Sequence, residues 1–270
     1  MDKRPIGVFD SGLGGLSAVK AMLKYLPNED IVYFGDTGRV PYGSRSEKTI
    51  EAYAKEDIEF LEKYNCKLII AACGTVSSVA KTAVAAVKEP FVGVVKPASK
   101  AAAKATKNNK IGVMGTAATI NSGAYVNEIK KINPGIKVYG VSCPLLVSLV
   151  ENNWIDSDNF IAKEIIKRYL DSFLQEQVDT IILGCTHFPH LAPIIADVVG
   201  KDITLIDTGK EAAIEAKTIL KEMNLANDEH HEGVADYYIT DKTQNFSEIA
   251  NTLLGVDISD RANFVDLYSV

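Results

Sequence analysis

Residues 6–11, Ile-Gly-Val-Phe-Asp-Ser, have a close match 105 residues later in residues 111–116, Ile-Gly-Val-Met-Gly-Thr. Two further pairs of apolar runs match in the same order, at offsets of 106 and 112: residues 32–33 with 138–139, and residues 69–73 with 181–185. Three matches in one order at nearly one offset predict that the chain consists of two similar halves.

Each half is predicted to be built from strands that alternate with helices. In the first half, apolar runs at 6–9, 30–34 and 67–72 are separated by segments with helical spacing. Such runs are typical of parallel strands that are covered by helices on both faces. Ser44 and Glu47 have the spacing of a capping box, which predicts a helix that begins after Ser44. The predicted fold class is α/β, with two pseudo-symmetric three-layer α/β lobes, mostly parallel sheets and a site in the cleft between the lobes.

The division of the chain between the lobes follows from the repeat. We expect the first lobe to comprise residues 1–96 together with 208–270, and the second lobe to comprise residues 97–207. The tail holds a predicted strand at 234–239 and a last helix from about Asn245. We expect this tail to pack on the first lobe, because the two ends of a chain often lie close together.

Composition and charge exclude several classes of protein. The chain has 270 residues with 29 Lys and Arg against 35 Asp and Glu, a net charge of −6. An acidic chain has no overall field that would draw it to nucleic acid or to an anionic membrane. No apolar stretch reaches the ~20 residues of a membrane span, and the first residues lack a signal peptide. These features predict a cytoplasmic protein with no nucleic-acid or membrane partner.

The cysteines are few and widely spaced. Cys66, Cys73, Cys143 and Cys185 include no Cys-x-x-Cys pair. A disulfide framework or a structural zinc cluster is therefore not indicated.

Polar residues that follow the predicted strands carry the functional signal. In open α/β sheets, ligands bind beyond the carboxyl ends of the strands. The polar residues at these ends are Asp10 and Ser11, Asp36, Cys73 to Thr75, Thr116, and Cys185 to His187. If the lobes face each other, the repeat brings Cys73 and Cys185 to opposite sides of one cleft. Each is predicted to precede a helix, whose N-terminus favours a thiolate.

Two thiols on opposite faces of a small substrate suit inversion at a stereocentre. One thiolate removes a proton from carbon, and the other thiol delivers a proton to the far side. The site must then stabilise carbanion charge with fixed hydrogen-bond donors. Asp10 and His187 are suited to proton transfer or to tuning of the thiols. The hydroxyls suited to holding an α-carboxylate are those of Ser11, Thr75, Thr116 and Thr186.

Three runs of residues carry a resemblance to a known family. They are Asp10-Ser11-Gly12-Leu13-Gly14-Gly15, the run 35–43 (Gly-Asp-Thr-Gly-Arg-Val-Pro-Tyr-Gly), and the run 184–189 (Gly-Cys-Thr-His-Phe-Pro). Together they make the chain, to about residue 207, resemble the glutamate racemases. The resemblance implies two pseudo-symmetric lobes, a cofactor-free two-cysteine mechanism, a homodimer, and glutamate as substrate, with D-glutamate supplied for peptidoglycan.

The resemblance also implies roles for individual residues. The residues that match the family's catalytic positions are Cys73, Cys185, Asp10, His187, Asp36 and Glu151. Those that match substrate-holding positions are Asp10, Ser11, Pro41, Tyr42, Gly43, Gly74, Thr75, Thr116, Thr119, Thr186 and His187. Neither a metal nor a cofactor is implied.

One position departs from the family pattern. The family usually has Asn after the first cysteine, and this chain has Gly74. The missing side chain removes one polar contact to substrate, and a backbone N–H at Gly74 is able to replace it because glycine allows close approach.

Other functions fit the sequence less well. The glycines of residues 12–15 suggest a dinucleotide site, but Ser17 occupies the third glycine position of G-x-G-x-x-G, and Asp10 would oppose the pyrophosphate charge. Cys185, His187 and His190 have no usual zinc spacing. No lysine is marked out for pyridoxal phosphate.

There are two further alternatives. A two-lobed ligand-binding protein would use the same cleft, but it does not need the thiol pair. A related racemase that acts on aspartate or a hydantoin stays open, although residues 41–43 and 184–189 favour glutamate.

Overall fold

The computed structural model describes residues 2–227, 231–242, 246–256, 258 and 261–267. The strands are β1 (Ile6–Asp10), β2 (Ile31–Gly35), β3 (Leu68–Ala71), β4 (Phe91–Gly93), β5 (Lys110–Gly115), β6 (Lys137–Ser142), β7 (Thr180–Leu183), β8 (Thr204–Asp207), β9 (Ala235–Ile239) and β10 (Ala262–Phe264).

The helices fill the intervals between these strands. They are α1 (Leu16–Tyr25), α2 (Glu47–Glu62), α3 (Gly74–Val79), α4 (Lys81–Ala85), α5 (Val95–Ala105), α6 (Ala117–Asn121), α7 (Ala124–Ile132), α8 (Pro144–Glu151), α9 (Phe160–Gln175), α10 (Ala192–Val199), α11 (Thr208–Glu222) and α12 (Phe246–Leu254). Short 3-10 helices span Tyr42–Ser44 and Phe188–Leu191.

The strands form two sheets with matching topology. The first sheet has the order β10-β9-β2-β1-β3-β4 and the second has the order β6-β5-β7-β8. Each strand pair in both sheets is parallel. The order β2-β1-β3-β4 repeats as β6-β5-β7-β8, so the three matching sequence pairs become equivalent strands. The predicted fold class, with two α/β lobes and parallel sheets, is confirmed.

The apolar runs form the buried centre of each sheet. All residues of β1, β2, β3 and β7 are buried. One buried apolar cluster continues through both halves, from Val8 and Leu68 in the first sheet to Met114 and Ile181 in the second. Burial of apolar surface stabilises a folded protein by about 25 cal/mol per Å². This shared core therefore stabilises the contact between the halves as well as the fold of each half.

The first turn of α2 differs from the prediction. The predicted cap, Ser44, lies in the 3-10 helix, and the N-cap is Ser46, whose hydroxyl accepts the N–H of Thr49 at 3.3 Å. Two serines stand two residues apart, and the 3-10 turn takes the first of them.

The chain passes between the two sheets twice. The first passage runs from β4 through α5 to β5, and the second runs from β8 through α11 to β9. Helices α5 and α11 contact each other, so the passages lie side by side.

The tail extends the first sheet. Strand β9 pairs with β2 and β10 pairs with β9. Helix α12, which packs on α1, begins at Phe246, and the predicted start near Asn245 falls outside the described residues. The division into residues 1–96 with 208–270 and 97–207 stays a prediction. Within the described residues, every helix is too short or too polar to span a bilayer.

Candidate active site

The carboxyl ends of the central strands face each other across the two sheets. Thr75 and Thr116 stand on opposite sides, with their hydroxyl oxygens 2.9 Å apart. Thr186 donates a hydrogen bond to Asp10 at 3.3 Å, and the hydroxyl of Ser17 donates one to the carbonyl of Thr186 at 3.0 Å. These contacts line the edges where the strand order reverses, which is where open α/β sheets bind ligands.

Cys73 lies at the N-terminus of α3, directly after β3. Its side chain is buried and its Sγ donates a hydrogen bond to the hydroxyl of Ser11 at 3.5 Å. Burial raises the pKa of Cys73 to about 12, and the negative charge of Asp10 adds to this effect. The hydrogen bonds with Ser11 and with the backbone N–H of Val76 only partly oppose it. Cys73 is therefore a neutral thiol in this state.

Cys185 follows β7. The sequence analysis expected an α-helix directly after Cys185, and the structure does not have one there. A turn leads from Cys185 into the 3-10 helix Phe188–Leu191, and α10 begins only at Ala192. The side chain of a histidine, His187, therefore lies beside this thiol in place of the expected helix N-terminus. The Sγ of Cys185 lies 3.7 Å from Nδ1 of His187.

His187 is held between a thiol and a carboxylate. Its Nε2 lies 3.3 Å from Oε1 of Glu151, at the end of α8, an ion-pair contact without the alignment of a good hydrogen bond. Burial alone would lower the pKa of His187, but the contacts with Cys185 and Glu151 outweigh it and raise the pKa to about 10. At neutral pH His187 is therefore a cation, placed beside the sulfur of Cys185.

Asp10 connects the two halves. Its Oδ2 accepts the N–H groups of Gly12 and Gly15, and its Oδ1 accepts the hydroxyl of Thr186. Burial raises the pKa of Asp10, while the charge of His187 and these hydrogen bonds oppose the rise. The loop approaches the other half closely, because a Cβ on Gly14 would lie 2.4 Å from the hydroxyl of Thr186.

Asp36 lies in a buried network to one side of the thiols. Its carboxylate pairs with Arg39 at 2.5 Å, accepts the hydroxyl of Tyr42, and accepts the hydroxyl of Thr240 at 2.9 Å. Arg39 also pairs with Asp57 at 3.2 Å. Both Asp36 oxygens are therefore engaged away from either sulfur, and a direct role in proton transfer stays a prediction.

The remaining residues expected to hold substrate divide into two groups. The Tyr42 hydroxyl belongs to the Asp36 network, and Pro41 is exposed at the start of the 3-10 helix. Gly43 packs on Thr116, since a Cβ on Gly43 would lie 2.5 Å from the Thr116 Cβ. Thr116 in turn caps α6 by accepting the N–H of Thr119 at 3.2 Å.

Comparison with known proteins shows the family of the chain. The family model for Asp/Glu/Hydantoin racemase matches residues 6–216. The chain belongs to this family. It is 42% identical over 258 residues to a glutamate racemase of Chlorobaculum tepidum, covering 95% of this chain and 94% of that protein.

Solved structures of relatives superpose over almost the whole chain. A glutamate racemase isoform of Bacillus anthracis has a TM-score of 0.93 at 36% identity, with 99% of each chain covered. The glutamate racemase of Francisella tularensis, solved in complex with D-glutamate, has a TM-score of 0.92 at 37% identity, with 100% of each chain covered.

Gly74 lies where the two halves touch. A Cβ on Gly74 would be 2.1 Å from the carbonyl oxygen of Gly184, the residue that precedes Cys185. No side chain fits between these two backbone segments in this arrangement. Glycine rather than Asn at this position therefore allows close contact between the two segments that carry the cysteines.

The sequence analysis missed the partners of Asp36. Asp57 lies on α2 and is fully buried, and burial together with the charge of Asp36 raises its pKa well above the usual range of a carboxyl group. A signal was present, since positions 50, 54, 57 and 61 share one helical face, and Asp57 is the charged residue among them.

Among the described residues, no group of three or more His, Cys, Asp or Glu side chains is arranged to hold a metal ion. The four cysteines are free thiols.

Proposed function

We propose that this chain interconverts L-glutamate and D-glutamate by proton transfer between the substrate α-carbon and two cysteine thiols. The observation that carries the proposal is the equivalent position of Cys73 and Cys185, each at the carboxyl end of the third strand of its half. The contacts between Asp10 and Thr186 and between Thr75 and Thr116 bring these two strand ends to one cleft. The substrate is inferred from the glutamate racemases that the chain resembles over 93% or more of its length.

In each direction one sulfur acts as base and the other as acid. The thiolate removes the α-proton and becomes a thiol, the electron pair stays on the α-carbon, and the opposite thiol protonates that carbon on its far face and becomes a thiolate. No atom or electron is gained or lost overall, so the reaction consumes no co-substrate, and we propose that it proceeds without a cofactor. We assign Cys73 to D-glutamate and Cys185 to L-glutamate, following the family.

The two sulfurs have different neighbours. Burial and Asp10 favour the neutral thiol at Cys73, and the His187 cation lies with its Nδ1 3.7 Å from the sulfur of Cys185. Glu151 supports the charge on His187. The hydroxyls of Ser11, Thr75, Thr116, Thr119 and Thr186 hold the substrate, together with the backbone at Gly74 and residues 41–43. We assign Asp36 to positioning of Tyr42.

The biological setting is part of the proposal. D-glutamate is a component of peptidoglycan, and we propose that the enzyme supplies it in the cytoplasm, as a homodimer, for cell-wall synthesis.

Circular dichroism of purified protein incubated with each glutamate enantiomer tests the function. We expect the signal of either enantiomer to decay to zero without added cofactor, because enantiomers have equal free energies. Aspartate is the control substrate. Decay of the aspartate signal with a persistent glutamate signal would assign the chain to another activity of the family, and a requirement for pyridoxal phosphate would remove the mechanism.

A further inference from the structure

Tyr125 carries a buried hydroxyl that the mechanism above does not use. The residue lies in the first turn of α7 and is 3% exposed. Its hydroxyl oxygen is shielded from solvent and has no hydrogen-bond partner among the described residues. A buried polar group without a partner destabilises a fold, and native proteins seldom retain one without use.

The Tyr125 ring lies against Gly184, the residue at which the two segments that carry the cysteines contact each other. A Cβ on Gly184 would be 3.3 Å from Cε2 and 3.5 Å from the hydroxyl oxygen of Tyr125. Gly184 precedes Cys185, and its carbonyl oxygen faces Gly74, which follows Cys73. Helix α3, which begins at Gly74, also contacts α7. The Tyr125 hydroxyl therefore lies next to Gly184, the residue that contacts Gly74 of the other half.

The charges near Tyr125 keep its hydroxyl protonated. Burial raises the pKa of Tyr125 above its usual range, and negative charge on Cys185 and on Cys73 raises it further. The group is thus a neutral donor at any pH at which the thiols work, and both sulfurs are close enough to influence it. Neither sulfur is its hydrogen-bond partner in this structure.

We infer that Tyr125 is a further substrate-positioning residue, whose hydroxyl donates a hydrogen bond to the α-carboxylate of the bound amino acid. The inference rests on the proposed function. With the α-carbon between the two sulfurs, the α-carboxylate is one bond away and needs donors close to both. The hydroxyls of Thr75, Thr116 and Thr119 already bond to one another. The hydroxyl of Tyr125 gains its acceptor as Gly74 moves off Gly184 to admit the substrate.

Replacement of Tyr125 by Phe removes the hydroxyl and leaves the ring. We expect the melting temperature of the substrate-free Tyr125→Phe protein to equal or exceed that of the wild type, since an unpartnered polar group is removed. We expect KM for both enantiomers to rise about tenfold, as loss of a hydrogen bond to a charged group requires, with a smaller change in kcat. Tyr139→Phe is the control, because Tyr139 lies on the outer strand β6 and its hydroxyl interacts with Glu176, at the end of α9.

Direct binding separates the inference from the proposed function. Calorimetry of D-glutamate with the Cys73→Ala protein, with and without Tyr125→Phe, should show about tenfold weaker binding in the double variant. Equal affinity in both proteins would overturn the inference. So would an unchanged KM with a shifted pH profile of Cys185 alkylation, because the hydroxyl would then serve the thiol. If the wild-type protein leaves both glutamate enantiomers unchanged, the proposed function itself fails.

Discussion

The two cysteines have the same position in the fold but different electrostatic surroundings. Cys73 is a buried thiol at the start of α3, beside the hydroxyl of Ser11 and the carboxylate of Asp10. Cys185 has the His187 imidazole at 3.7 Å, and Glu151 lies beyond it. A repeated strand order thus supplies two equivalent positions, and unrelated neighbours make one thiol neutral and give the other a cation.

This difference shows that pseudo-symmetry of the backbone does not require symmetry of the chemistry. A racemase needs an acid and a base at the same moment, and two identical thiols in identical surroundings would tend to share one protonation state. The unlike neighbours give the two sulfurs different electrostatic surroundings before substrate arrives.

The largest expected effect comes from removing either sulfur. Cys73→Ala and Cys185→Ala should each lower racemisation in both directions by about 10²–10⁴-fold, since each direction requires both an acid and a base. Initial rates by circular dichroism measure this. Cys66→Ala is the matched control, because that buried thiol bonds to the carbonyl of Leu61 instead. Substantial turnover by one cysteine variant would end the two-thiol comparison.

A smaller effect is expected in the pH dependence of the Cys185 half. The pKa of His187 is raised, so its charge is present at lower pH and is lost as the pH rises through about 10. We expect kcat of the wild type to fall over that range, and His187→Asn to be slower by about 10²-fold at neutral pH and to show a smaller alkaline fall.

Paired pH profiles of the two proteins give the measurement. The amino group of glutamate ionises in a similar range and affects both proteins alike, so the difference between the profiles is the readout. The same alkaline fall in His187→Asn would show that another group titrates, and the assigned asymmetry would then be wrong.

The smallest effect is expected where the halves meet. Gly74→Ala places a methyl group against the carbonyl of Gly184, and overpacking of this kind costs about 1–3 kcal/mol. We expect a rise in KM and a lower melting temperature, because the halves must move apart. Gly135→Ala is the control, since its Cβ would meet only the Asn133 side chain, at 3.2 Å. Equal behaviour of the two variants would mean that close contact at Gly74 is not needed.

The arrangement of the sheets could be predicted because it depends on repeated local patterns. The pairs 6–11 with 111–116 and 69–73 with 181–185 became β1 with β5 and β3 with β7. Parallel strands buried on both faces need long apolar runs, and these are visible in one sequence. Asp10, Cys73 and Cys185 could then be predicted as candidate site residues, because they lie at the carboxyl ends of predicted strands.

The parts that could not be predicted depend on contacts between distant residues. Thr240 follows β9, the strand that the tail adds, and reaches Asp36 from 204 residues further along the chain. Aspartate is usually exposed to solvent, but packing of α2 buries Asp57. Its position on the apolar face of α2 is the one sequence feature that indicates this burial. A helix was predicted directly after Cys185, but Thr186 and His187 form a turn that leads into the 3-10 helix Phe188–Leu191, and α10 begins only at Ala192.

The two side-by-side passages of the chain, through α5 and α11, govern how the halves can move. A pair of covalent connections packed against each other acts as a hinge with one easy axis, the line that joins them, while twisting and sliding are resisted. We expect rotation about that line to change the separation of the facing strand ends, and with it the separation of the sulfurs of Cys73 and Cys185.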